Sequence, residues 1–65
     1  MFDYEIYKVC IFNERMMIVN TRFCDDEDEA TDYANKIMGQ YRCVKKAQIF
    51  KKSTNEVKLV KELFN

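Results

Sequence analysis

Apolar positions repeat with a helical period in the middle of the chain. Ala30, Tyr33, Ala34, Ile37 and Met38 fall at i, i+3, i+4, i+7 and i+8, which is one stripe of an amphipathic helix. Asp26 is placed to cap its start, with Glu29 three residues on as in a capping box. Acids in the first turn suit the positive end of the helix dipole. Gly39 sits just past the stripe, where a left-handed C-terminal residue is expected. The spacing predicts a helix over residues 26–39.

The flanking segments have strand character. Tyr4 to Phe12 and Met16 to Phe23 are rich in β-branched and aromatic residues. Asn13-Glu14-Arg15 joins them as a hairpin connection. Beyond the helix, Arg42 to Lys51 is a third strand. Ser53-Thr54-Asn55-Glu56 is a turn in which Asn55 tolerates positive φ. Val57 to Leu63 is a fourth strand; a short C-terminal helix is its rival, because Ser53 and Glu56 also match a capping box. The expected fold is α+β, ββαββ, a four-stranded antiparallel sheet with one helix packed on one face, in a single domain spanning residues 1–65. A sheet order of 2-1-3-4 keeps all neighbours antiparallel and allows a right-handed crossover through the helix.

One helix covers one face of such a sheet. The strand period of two then assigns the other face. With Tyr7, Val9 and Ile11 toward the helix, Ile6, Lys8, Cys10 and Phe12 point away. With Met17, Val19 and Phe23 inward, Met16 and Ile18 point out. With Cys43, Ala47 and Ile49 inward, Val44, Lys46, Gln48 and Phe50 point out. Ile6, Phe12, Met16, Ile18, Val44 and Phe50 make that outward set too apolar for a solvent face. Strands apolar on both sides are ordinarily covered on both sides. An uncovered patch of roughly several hundred Å² marks an interaction surface. The alternatives are a facing wrong by one residue in some strands, or a C-terminal segment folded over this face.

Composition narrows the chemistry. The chain has 65 residues, no His, one Gly, no Pro and three Cys. A domain of this size buries about 60% of its unfolded surface and is marginal alone. The absence of His removes a Ser-His-Asp triad, a Cys-His pair and imidazole metal ligands. A single Gly leaves no phosphate-cradling loop. No apolar run reaches the roughly 18 residues of a membrane span. Met1-Phe2-Asp3-Tyr4-Glu5 lacks the basic start of a signal peptide, so a cytoplasmic location is expected.

Net charge is zero, from 11 basic and 11 acidic residues, but it is segregated. Residues 1–32 carry nine acids and three bases, and residues 33–65 carry eight bases and two acids. Such asymmetry can signal a charged partner; a solvated surface that pairs with itself is the plainer reading, because charge alone specifies no partner. The run Asp25-Asp26-Glu27-Asp28-Glu29 lacks the alternation and turn glycine of a calcium loop, and helix capping accounts for it, so no metal is expected. Cys10, Cys24 and Cys43 are widely spaced with no CxxC, which suits small buried hydrophobes in a reducing compartment better than zinc. Catalysis by carboxylates alone would need a pocket that a one-helix sheet hardly offers. No enzyme activity and no cofactor are expected.

Two binding modes remain. Lys45, Lys46, Lys51 and Lys52 on the basic strands could meet phosphates while Phe50 or Tyr41 stacks on a base. Against this, RNA-binding sheets carry a central aromatic pair with Gly nearby, which the sequence does not display, and a neutral chain is unusual for a nucleic-acid domain. Alternatively Glu27, Asp28 and Asp32, with Thr31 and Asn35, present a polar acidic helix face. Dense negative charge can compete for a basic groove that normally holds nucleic acid.

The order of elements, with Tyr7-Lys8-Val9-Cys10-Ile11, then Asp25-Asp26 opening a helix through Ala30-Thr31-Asp32-Tyr33-Ala34, then Val44-Lys45-Lys46-Ala47-Gln48-Ile49 and a final Glu56-Val57 strand, resembles the small antitoxin Dmd family of T4-like phages. Other small phage counter-defence inhibitors share such compact α+β folds. The resemblance implies direct binding and neutralisation of host endoribonuclease toxins. The expected function is therefore a non-catalytic inhibitor that binds a host protein, such as a nuclease. Glu27, Asp28, Asp32, Ile6, Phe12, Ile18 and Phe50 are its candidate contacts. A nucleic-acid module using Lys45, Lys46, Lys51 and Lys52, or a homodimeric accessory protein joined through the open sheet face, is the alternative.

Overall fold

The computed structural model describes residues 4–65; the reading of Met1-Phe2-Asp3 as the start of a chain without a signal peptide lies outside them. The elements are β1 (Glu5–Asn13), β2 (Ile18–Cys24), α1 (Glu27–Gln40), β3 (Val44–Ser53) and β4 (Val57–Phe64). They form one sheet in the order β2-β1-β3-β4, with every neighbouring pair antiparallel. The α+β expectation and the strand order hold, and the C-terminal segment is a strand. Its residues Leu63, Val60 and Lys61 pair with or pack against the sheet core, a gain that a short isolated helix lacks.

α1 begins at the expected cap. The Glu29 N–H donates to Asp26 Oδ1 at 2.7 Å, and the Ala30 N–H donates to the Asp26 carbonyl at 3.1 Å. Glu27, Asp28 and Glu29 occupy its first turn, where the dipole favours them. The end differs from expectation. Gly39 lies inside the helix and does not adopt positive φ. Tyr41, with φ −124°, is the C-cap and its N–H donates to the Ile37 carbonyl at 3.0 Å. Asn65 supplies what a glycine cap would have supplied. Its side-chain Nδ2 donates to the Met38 carbonyl at 2.9 Å and to the Val44 carbonyl at 3.0 Å. One amide thus ties the end of α1 to the start of β3, and no left-handed residue is needed there.

The core lies between α1 and one face of the sheet. Val9, Ile11, Cys24, Ala30, Ala34, Met38, Val44, Ala47 and Ile49 are buried together, with Tyr7, Tyr33, Ile37, Val60 and Leu63 packed around them. Ala30, Ala34 and Ala47 are fully buried; small residues at the contact let helix and sheet approach closely. The shortest extent of the Cα trace is 15 Å, enough for one helix layer on one sheet layer and no third.

Register shifts in β2 and β3 correct the expected facing, and a third lies in β4. In β2 the pairing passes from Ile11↔Asn20 to Phe12↔Ile18, so Val19 is extra and the alternation changes phase. Asn20, Arg22 and Cys24 therefore face the helix side, while Phe23 faces away and Met17 and Val19 are exposed. The polar inward pair is held by one aromatic: Asn20 Nδ2 donates to the Tyr33 hydroxyl at 2.8 Å, and the Arg22 guanidinium lies 4.8 Å from the Tyr33 ring centroid. In β3 the pairing jumps from Phe12↔Lys46 to Asn13↔Val44. Lys45 is extra, and Val44 turns into the core. Cys43, expected inside, is exposed ahead of the strand. In β4 a shift between Ile49↔Lys61 and Phe50↔Leu59 leaves Val60 as the extra residue. Bulges of this kind re-aim side chains and add local twist; a strict period of two cannot anticipate them.

The β1–β2 turn also departs from expectation. Asn13 Oδ1 accepts from the Arg15 N–H at 2.9 Å and the Met17 N–H at 3.0 Å. Met16, expected on the outward strand face, sits in this turn with φ 62°, a left-handed conformation that costs a β-carbon-bearing residue roughly 1–2 kcal/mol. Among the described residues it is the one non-glycine with positive φ, so Asn55 does not take that conformation. The second hairpin is closed by the Ser53 N–H donating to the Glu56 carbonyl at 2.9 Å.

Candidate functional site: the uncovered sheet face

Residues opposite one another in an antiparallel ladder share a face. The pairings therefore write out the surface that α1 leaves bare. One row across the four strands is Phe23, Lys8, Phe50 and Leu59. The next is Thr21, Cys10, Gln48 and Glu62. A third is Ile18, Phe12, Lys46 and Phe64. Ile6, Lys52 and Val57 form a partial fourth. Two aromatic and basic rows thus flank a polar one.

The face is open to a partner. Phe64 is 70% exposed, Phe23 51%, Ile18 56% and Leu59 44%. Phe12 and Phe50, on the two central strands, are half-buried among their neighbours, and Cys10 between them is buried at 3% exposure. Two of the lysines reach over ring faces. Lys46 Nζ is 4.7 Å from the Phe12 centroid and Lys52 Nζ is 5.7 Å from the Phe23 centroid, both within cation–π range. Glu62 is the carboxylate of this face. It accepts from Gln48 Nε2 at 2.7 Å and stands 4.0 Å from Lys46 Nζ.

The charged groups on the helix side are tied differently. Lys51 pairs with Glu5 at 3.1 Å; that hydrogen bond, reinforced by the Glu5 charge, raises the Lys51 pKa. Lys61 Nζ contacts Glu27 at 3.6 Å and Thr31 Oγ1 at 3.2 Å. Burial, with a smaller push from the Glu29 carboxylate, raises the Cys24 thiol above its ordinary value. The concavity lined by Tyr4, Glu5, Ser53, Thr54 and Asn55 holds one carboxylate, already bound to Lys51.

The sequence-derived candidates separate accordingly. Ile6, Phe12, Ile18 and Phe50 come together on the open face with Lys46 and Lys52. Lys51 faces the helix side, and Lys45 is the exposed extra residue of its bulge. Glu27 is half-buried against Lys61, whereas Asp28 and Asp32 are exposed. Phe23 and Phe64 were missed, and so was Leu59. Phe23 was hidden by the β2 bulge. Phe64 lies in the final strand, whose facing had no neighbour to fix it. Lys8, opposite Phe50, completes the basic set.

Among the described residues no group of three or more Cys, Asp or Glu is arranged to hold a metal ion, and no helix is long and apolar enough to cross a membrane. No family model, curated protein or solved structure matches the chain.

Proposed function

We propose that this chain is a small non-catalytic binding protein whose working surface is the uncovered face of its sheet. The observation that supports this is the set of four phenylalanines, Phe12, Phe23, Phe50 and Phe64, brought from all four strands onto one uncovered side. Leaving such rings in water forfeits the burial energy that a marginal 65-residue domain needs. A partner laid on the face recovers it.

The reading is tested by comparing what the protein retains from lysate of its own cells with what two variants retain. A Phe23→Ser/Phe64→Ser variant should lose the retained partner, and an Asp28→Lys/Asp32→Lys variant should keep it. The reverse pattern would replace this reading with a second one, inhibition of a nuclease by an acidic helix face, as the likeness to the Dmd family suggests. That second reading is supported by the exposure of Asp28 and Asp32 one turn apart, and it gives Glu27 a structural role beside Lys61.

A further inference from the structure

We propose that the occupant of the open sheet face is single-stranded RNA; the inference rests on that face being the working surface. Charge points first. Taken whole, the chain is neutral. Taken by face, the open side carries Lys8, Lys46 and Lys52 against Glu62 alone, while the dense acids Asp25, Asp26, Asp28, Glu29 and Asp32 belong to the start of α1 and the residues before it. The partner of the sheet is therefore anionic.

The rings point second. Phe12 and Phe50 lie on the two central strands and Phe23 and Phe64 on the two edges; by row they fall as Phe23 with Phe50 and Phe12 with Phe64, two strands apart in each case. Strands about 4.8 Å apart put the two rings of a row roughly 10 Å apart, and the rows stand about 13 Å apart along the strands, so the face offers four separate rings on which bases can stack. Base–aromatic stacking with lysines along the backbone is how sheets hold single strands. A duplex hides its base faces and cannot use the rings.

A second copy of this chain fits less well. Face-to-face packing would bury six ammonium groups with two carboxylates between them, and unpaired buried charge is costly. An acidic peptide would satisfy the lysines but leaves exposed rings without flat partners.

The polar row favours RNA over DNA. Thr21, Gln48 and Glu62 lie between the two aromatic rows. Gln48 Nε2 gives one of its two hydrogens to Glu62 Oε2, so the pair offers a ligand two acceptor oxygens, Gln48 Oε1 and Glu62 Oε1, beside one remaining N–H. A ribose 2′-hydroxyl is a donor at the sugar level, and deoxyribose has none.

Fluorescence anisotropy with labelled octauridylate, octathymidylate and octaglutamate tests this. Octauridylate should bind in about 50 mM salt with a log–log salt slope near −2, as three lysine–phosphate contacts require. Phe64→Ser should weaken it about tenfold, the loss of one stacked base, and Phe64→Tyr should restore it. Lys52→Gln should flatten the slope. Equal binding of octathymidylate would overturn the choice of RNA, and equal binding of octaglutamate would reduce the surface to bare charge. No octauridylate binding at low salt would overturn the inference outright. The binding-module reading would survive that result if the Phe23→Ser/Phe64→Ser variant still lost a retained protein, and would fall with it if that variant lost nothing.

Discussion

Lys46 Nζ sits 4.7 Å from the centroid of the Phe12 ring, directly across the β1–β3 ladder, and 4.0 Å from Glu62. The Lys46 side chain is 19% exposed and that of Glu62 35%, so the ammonium group is partly covered by its neighbours and opens onto the surface at its tip. Exposed ion pairs and cation–π contacts each contribute about 0–1 kcal/mol. Lys46→Met should therefore cost no more than about 2 kcal/mol, at most about 16 °C in thermal midpoint for a domain of this size, while octauridylate affinity drops severalfold. A large loss of stability in calorimetry with unchanged affinity would make Lys46 structural.

Asn65 joins α1 to β3 through two carbonyls. Asn65→Ala removes both hydrogen bonds from partly buried acceptors and should cost about 1–3 kcal/mol. Urea unfolding should show this as a lower midpoint with an unchanged slope. Gly39→Ala, by contrast, should stabilise α1, since nothing lies within 4 Å of an added β-carbon and φ is helical; about 0.5–1 kcal/mol is expected.

Much of the fold was legible in the sequence because it is local. The stripe from Ala30 to Met38 and the Asp26 cap need only residues three or four apart. The facing of Phe23 and Val44 was not legible, because it depends on one extra residue in each of two ladders. Those extra residues, Val19 and Lys45, are set by pairing with β1, a contact between distant parts of the chain. The candidate surface was half legible for the same reason. Ile6, Phe12, Ile18 and Phe50 were found, whereas Phe23, Phe64 and the separation of charge by face needed the register.

Met16 holds φ 62° in the first hairpin turn, where a glycine pays no β-carbon penalty. Met16→Gly should raise stability by about 0.5–1 kcal/mol once the added freedom of the unfolded chain is deducted. Met16→Val should do the opposite. Paired thermal melts check both.

The three cysteines should differ in reactivity. Cys43 is exposed and Cys10 and Cys24 are buried, so iodoacetamide should label one site in the folded protein and three after unfolding. Burial raises the Cys24 pKa above 9.0, meaning that the folded state favours the neutral thiol. Its stabilising share is complete below that pH and is lost as pH rises through the raised value. Lys51, raised above 10.5 by Glu5, acts in the same direction at higher pH. Cys24→Ala should flatten the first part of the alkaline decline in a pH series of melts, and leave the acid side unchanged.

Binding is expected on the bare side of the sheet and not on the acidic helix. Amide and side-chain NMR shifts during octauridylate titration test it most directly. Perturbations should centre on Lys8, Phe12, Phe23, Gln48, Phe50 and Phe64, with Asp28 and Asp32 silent. Shifts centred on Asp28 and Asp32, or none at all at low salt, would contradict it.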